Sequence, residues 1–417
     1  MRAEIISIGD ELLIGQTINT NASWMGKELS QLGISIRICT TISDDKSEIL
    51  SAIEVALNRS DLVFITGGLG PTKDDITKHT LCAYFETELV INQVVLDRVT
   101  KYFTDRGREM LEVNIQQAAL PKNCIVLDNF EGTASGMWFE KNGSILVSLP
   151  GVPFEMKSIM VNEVFPKLKE KFNVSSIFHR TILLQGIGES FLAEKIKDWE
   201  DRIHLDGFGL AYLPSIGSVK LRITSPNGIA DLPKIESYFK EVEERLPINI
   251  YGREEDTLSR VVGKLLKVKN CTVGTVESCT GGAIASAFVS EPGSSDYFQG
   301  SLLTYSNKLK NKLANVDENV LIDFGAVSEE VVIQMAKNGR EKLGVDYCIS
   351  TSGIAGPDGG SDEKPVGTVW IGISSRKESF AVKYQFGNNR ERNIQMTVLS
   401  ALNLLRCAIL EIKLKIK

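Results

Sequence analysis

The chain has 417 residues, 47 of them basic and 53 acidic, which gives a formal net charge of −6. That balance supplies no electrostatic footprint for nucleic acid or an anionic membrane, and no stretch approaches the ~18 uninterrupted apolar residues of a membrane span. Seven cysteines, an odd number without a C-x-x-C pair or a Cys/His metal spacing, read as reduced thiols of a cytoplasmic protein, so small molecules are the expected ligands.

At ~150 residues per domain the length suggests about three domains. The first residues, Met-Arg-Ala-Glu-Ile-Ile-Ser-Ile-Gly-Asp, carry acids where a signal peptide would need an apolar core. Ile5, Ile6 and Ile8 predict a buried strand, and Met25, Leu29 and Leu32 form a helical stripe stopped by Gly33. Ile34, Ile36 and Ile38 alternate as a strand, a helix carries Ile49, Ile53 and Leu57, and Asp61 to Thr66 is the next strand. Such alternation predicts a doubly wound sheet with ligands at the carboxyl ends of its strands.

That third strand opens into Gly67-Gly-Leu-Gly-Pro-Thr-Lys-Asp-Asp-Ile-Thr77. Gly67, Gly68 and Gly70, after Thr66, let backbone approach an anion, and Asp74 and Asp75 stand near the next helix start. Paired acids there stabilise a helix N-terminus in any case. They also suit a divalent cation held against phosphate oxygens, magnesium or manganese by ligand hardness, with Asp10, Glu11 and either Asp44 or Asp45 reaching the same edge. The loop Asn129 to Gly136, which includes Thr133, and the turn after Ile145 to Leu149 could line the same cleft. A helix from about Phe154 to Phe172 closes the domain.

From 173 to 252 the texture changes. Thr181 to Leu184 and Ser218 to Thr224 read as strands, Ser190 to Glu200 and Leu232 to Leu246 as helices, which makes a small α+β connecting domain. Gly186-Ile-Gly188 lacks the flanks of a dinucleotide fingerprint.

The third domain, 253 to 417, opens with the helix Thr257 to Leu266 and the strand Cys271 to Val276. Val273-Gly-Thr-Val-Glu-Ser-Cys-Thr-Gly-Gly282 then runs from a strand into a small-residue helix start, aiming N–H groups and a helix dipole at one point. Turns of this kind also serve merely to pack two elements. All three histidines, His79, His179 and His204, lie upstream. Ser278 or Cys279 as a nucleophile therefore has no histidine of its own domain for a base, and lysine or tyrosine remains. Tyr305 and Lys310 follow at once. After the strand Gln299 to Thr304, Ser328 is the expected cap of another helix, and the strand Tyr347 to Ser350 opens into a glycine-dense loop, Thr351 to Thr368. Phe386-Gly-Asn-Asn-Arg-Glu-Arg392 places two arginines before a closing helix.

Glu277-Ser-Cys-Thr-Gly-Gly282, Tyr305-Ser-Asn307, Gly325-Ala-Val-Ser-Glu329, Ser352-Gly-Ile-Ala-Gly-Pro-Asp-Gly-Gly360 and Lys364-Pro-Val-Gly-Thr-Val369 together resemble the nicotinamide-nucleotide amidase domain called PncC. The upstream Gly67 to Thr77 loop resembles the molybdopterin-binding-like fold of the MogA and MoeA proteins. Both in this order resemble the competence/damage-inducible CinA family across nearly the whole chain. The resemblance implies an α/β protein of three domains: a doubly wound MogA/MoeA-like domain at 1–172, a small KH-like α+β domain at 173–252 and an α/β amidase domain at 253–417. It implies hydrolysis of nicotinamide mononucleotide to nicotinate mononucleotide and ammonia by the last domain, without a cofactor. For the first domain it implies a metal-dependent (Mg, Mn or Co) ADP-ribose pyrophosphatase, and for the whole a homodimer. Direct nucleic-acid binding is not expected, since no GXXG loop with basic flanks stands in the KH-like segment.

On that resemblance Ser278 attacks the amide, with Lys310 or Tyr305 as base and Cys279 as the rival nucleophile. The N–H groups of the turn from Ser278 to Gly282, through Cys279, Thr280 and Gly281, are expected to hold the oxyanion, with Glu277 among the substrate contacts. Ser294, Ser295 and the loop Thr351, Ser352, Gly353, Ile354 and Ala355 are expected to seat the ribose and phosphate, with Arg392 on the phosphate. In the first domain Asp75 is the expected catalytic residue, Thr66, Gly67, Gly68, Gly70 and Thr133 the substrate contacts, and Asp10, Glu11, Asp44, Asp74 and Asp75 the metal ligands. The alternative class is a non-enzymatic scaffold connected with DNA uptake or damage.

Overall fold

The computed structural model describes residues 1–72, 75–172, 178–225 and 227–414. Contacts divide it into two units, Met1–Phe178 and His179–Lys417.

The first unit is built on a six-stranded sheet. Strands Ser35–Ile42, Arg2–Ile8, Leu62–Thr66 and Ser144–Leu149 lie side by side in that order and all parallel. Gly136–Lys141 and Ile125–Leu127 extend the sheet antiparallel. Leu62, Val63, Phe64 and Ile65 are all fully buried, as a central parallel strand covered on both faces requires. One face packs Met25 and Leu29 of the helix Thr20–Gln31 with Met156, Ile159 and Leu168. The other face packs Ile49 and Ile53 of the helix Lys46–Leu57 with Leu81, Val95 and Val99. The closing helix expected over 154–172 is three pieces, Pro153–Ile159, a π-helical turn Met160–Val164, and Phe165–Lys171. Pro166 has no N–H to continue the regular ladder, which explains the widened turn just before it.

The second unit contains two sheets. In the middle segment the order is Gly209–Ser215, Ser218–Ser225, Phe178–Gln185, Ile250–Arg253. The hairpin of the first two strands, antiparallel from Gly209↔Thr224 to Ser215↔Ser218, is more sheet than the sequence suggested. The helices Glu189–Leu205 and Leu232–Arg245 meet where the Trp199 indole N–H donates to the Tyr238 carbonyl at 2.9 Å. Buried polar contacts join this segment to the last helix, Arg390–Ile409. Asn403 donates to Gln185 Oε1 at 2.9 Å, and Arg406 donates to the Ile248 carbonyl at 2.7 Å.

The last sheet has the order Phe298–Leu303, Val273–Glu277, Tyr347–Gly353, Thr368–Ser374, Ser379–Gln385. The first three strands are parallel and the last two run antiparallel. The carboxyl ends of Phe298–Leu303, Val273–Glu277 and Tyr347–Gly353 therefore meet at one edge, and the chain leaves all three in loops there. Among the described residues, no helix is long and apolar enough to cross a membrane.

Candidate functional site

The C-terminal cavity, about 300 Å³, opens at that sheet edge and is lined by Ser278, Cys279, Tyr305, Lys310, Ser352 and Arg390 among others. Ser278 follows the strand Val273–Glu277 directly, and its N–H continues the ladder to the Thr351 carbonyl at 3.1 Å. Lys310 comes from the helix Asn307–Ala314, which Ser306 caps by accepting from the Leu309 N–H. Its Nζ lies 2.9 Å from Ser278 Oγ and 2.9 Å from the Thr304 carbonyl. Lys310 is only 2 % exposed and Ser278 7 %. Burial holds the Lys310 amine below the ordinary lysine range. A desolvated amine with one N–H fixed on a carbonyl, touching a serine hydroxyl, is the arrangement a serine–lysine nucleophile pair requires.

The neighbouring candidates sort differently. The Cys279 thiol is buried and pushed up to about 12, chiefly by desolvation, so it carries almost no thiolate near neutrality. Tyr305 stands 65 % exposed at the rim, where its hydroxyl accepts from Arg390 at 3.3 Å. Among the described residues it makes no bond to Ser278.

Glu277 is fully buried and does not face the cavity. Its carboxylate accepts from the hydroxyls of Thr275 and Thr280 and from the N–H groups of Gly282, Ile284 and Ala285. It thus satisfies the start of the helix Ala283–Val289 from inside the strand, and the two glycines before it, Gly281 and Gly282, turn the chain at φ of 61° and 100°. This corrects the expectation that the whole turn serves an oxyanion. The Ser278 N–H goes to Thr351, the Gly281 N–H to the Ser278 carbonyl, and the Gly282 N–H to Glu277. Among the described residues, only the Cys279 and Thr280 N–H groups of the turn remain unengaged.

Thr280 and Thr351 bond to each other at 2.8 Å behind the cavity wall, while Ser352, Gly353, Ile354 and Ala355 do line it. Ser294 and Ser295 do not. They precede Tyr297, whose carbonyl pairs with the Val273 N–H, and so sit at the opposite end of the strand from Ser278. Arg392 is exposed and off the cavity, and the arginine on it is Arg390, which donates to the Gly356 carbonyl at 2.9 Å. Both arginines stood in the sequence, but the helix starts at Arg390, which puts the two on different faces. Asp358 and Asn307 also line the cavity and were not singled out.

In the first unit a cavity of about 370 Å³ lies at the carboxyl edge of the parallel strands. It gathers Glu11, Asp44, Gly67, Gly68, Gly70, Asp75 and Thr133, with two residues the sequence reading missed, Gln117 and Glu155. Asp75 turns back on the glycine loop to accept from the Thr72 N–H at 2.9 Å and from its hydroxyl. Glu155 accepts from Asn129 at 2.6 Å, and its carboxyl is held up by burial. Asp10 is exposed and lies off the cavity, giving its N–H to Asp44. Asp45 caps the helix Lys46–Leu57 instead. Thr66 is buried behind the wall, donating to the Pro150 carbonyl. Asp74 lies outside the described residues. A Cβ at Gly9 or Gly70 would run into the carboxylate of Glu11 or Asp75, so glycine makes room for both acids. These oxygens suit a hard divalent cation, although among the described residues no three acidic, histidine or cysteine side chains form a ready cluster. Phosphate oxygens and water would complete such a shell.

The sequence model described as CinA C-terminal domain matches residues 255–409, that of the Probable molybdopterin binding domain residues 4–170, and that of the Damage-inducible protein CinA KH domain residues 179–252. A CinA-like protein of Cytophaga hutchinsonii is 49 % identical over 413 residues, covering 99 % of each chain. Another, of Flavobacterium psychrophilum, is 44 % identical over 415 residues, again 99 % of each. A solved structure titled as the protein CinA with unknown function from Thermoplasma acidophilum is 33 % identical over 41 % of this chain and 96 % of that one, with a TM-score of 0.37.

Proposed function

The chain belongs to the CinA family, and on that premise we propose that its C-terminal domain hydrolyses the carboxamide of nicotinamide mononucleotide to nicotinate mononucleotide and ammonia. The observation that supports this reading most is the contact between Lys310 Nζ and Ser278 Oγ. Neutral Lys310 takes the serine proton as Oγ attacks the amide carbon, and the Cys279 and Thr280 N–H groups receive the developing oxyanion. Lys310 then returns the proton to the amide nitrogen, the C–N bond breaks, and ammonia leaves an ester on Ser278. Lys310 next deprotonates a water, which attacks the ester carbon, and the proton returns to Ser278 Oγ as the acid departs. Arg390 and Tyr305, which line the cavity, would meet the phosphate.

For the first domain the proposal is metal-dependent cleavage of the ADP-ribose diphosphate. Glu11, Asp44 and Asp75 would hold the divalent cation, which when bound neutralises charge on the phosphates. The glycine-loop backbone approaches the same group. The test is direct: purified protein is assayed for ammonia from nicotinamide mononucleotide and for AMP from ADP-ribose with and without magnesium, manganese or cobalt. Absence of ammonia overturns the first assignment, and absence of AMP with every metal overturns the second.

A further inference from the structure

Gln117 is 2 % exposed and lies on the wall of the N-terminal cavity, yet among the described residues its side-chain Oε1 has no hydrogen-bond partner. A buried amide oxygen without a partner is costly and calls for a reason. The residue is not loosely held. Lys78, from the helix Thr77–Tyr84, reaches the carbonyls that flank it, Gln116 at 2.8 Å and Ala119 at 3.3 Å. Lys78 is itself buried, and desolvation brings its amine down to about 8. Lys78 therefore fixes the backbone on both sides of Gln117, and among the described residues nothing donates to its Oε1.

The rest of the wall says which ligand group would fill that role. Its charged side chains are Glu11, Asp44, Asp75 and Glu155, and among the described residues it has no lysine or arginine. A phosphate oxygen is another acceptor and gains nothing from Gln117 Oε1, whereas a sugar hydroxyl donates. We propose that Gln117 recognises the sugar of the ligand, accepting a ribose O–H beside the phosphates, while the diphosphate is met elsewhere on the wall. This rests on the reading of the first domain as one that takes ADP-ribose.

The experiment uses the full-length protein with magnesium and two probes, the uncleavable α,β-methylene analogue of ADP-ribose and inorganic pyrophosphate, with binding followed by calorimetry. Gln117→Leu should weaken the analogue about tenfold or more and leave pyrophosphate within about twofold of wild type. Should that variant fail to fold, Gln117→Met, closer in shape and equally without an acceptor, carries the same comparison. Unchanged binding of the analogue overturns the inference, and so does an equal loss of both probes, which would make Gln117 a purely structural residue. Wild-type protein that binds neither probe removes the ADP-ribose reading itself, a different result from a variant that behaves as wild type.

Discussion

Lys310 Nζ lies 2.9 Å from Ser278 Oγ, with the Thr304 carbonyl holding the same amine from the other side. Two loops leaving adjacent parallel strands create this contact, Ser278 from the strand Val273–Glu277 and Lys310 from the helix that follows Phe298–Leu303. The separation admits proton transfer in either direction, which hydrolysis through an ester needs twice.

Burial keeps Lys310 below the ordinary lysine value of 10.5. As a base it acts neutral, so deamidation should rise with pH through that lowered value and level off above it. The same shift affects stability. Between the lowered value and 10.5 the unfolded chain binds more protons than the folded one, so stability should rise with pH across that window. Lys310→Met should cut the rate by about 10²- to 10⁴-fold, remove the pH dependence of ammonia release, and make the rise of melting temperature with pH shallower while leaving the part that buried Lys78 contributes.

Replacing Cys279 by alanine should leave most of the ammonia release intact, because a thiol pushed up to about 12 is protonated in the assay range. Labelling by a thiol reagent at pH 7 should likewise be slow at this position.

Glu277 accepts five hydrogen bonds in a fully buried site one residue before Ser278. Glu277→Ala should lower unfolding stability by about 3 kcal/mol or more and abolish deamidation, since the turn then loses its internal anchor. Glu277→Gln keeps one acceptor and should fall between the two in a denaturant titration.

Arg390 is on the cavity and Arg392 is not. Arg390→Ala should raise KM for nicotinamide mononucleotide about tenfold or more with a smaller change in kcat, while Arg392→Ala should leave both near wild type. Steady-state kinetics of the two variants decide it.

In the first domain Asp75→Ala should stop the proposed metal-dependent cleavage of ADP-ribose and leave ammonia release unchanged, because the two candidate sites lie in different units of the chain. Measuring both activities on one preparation checks this.

The parallel strands were legible because Leu62 to Ile65 is an apolar run that opens into Gly67 and Gly68, and Val273-Gly-Thr-Val276 carries β-branched residues ahead of Gly281 and Gly282. The helix that carries Lys310 was not, since Asn-Lys-Leu-Lys-Asn-Lys-Leu-Ala has the look of a solvated charged face. Only tertiary packing buries its middle lysine while Lys308 and Lys312 stay outside the core. Ser294 and Ser295 misled for a related reason: hydroxyls near a glycine suggest a ligand loop, but strand direction decides which end of the sheet they occupy. Glu277 was legible as part of a motif and not as a cap, because its partners, Gly282, Ile284 and Ala285, are brought to it only by the left-handed turn. Gln117 gave no signal, since an amide in a polar stretch is ordinary until its burial is known.

The most direct measurement is rapid-quench mass spectrometry of the protein mixed with nicotinamide mononucleotide. An ester of nicotinate mononucleotide should appear on the peptide containing Ser278, and Ser278→Ala should carry no such adduct and release no ammonia. Undiminished ammonia release by Ser278→Ala, or an adduct found on Cys279, would contradict the account.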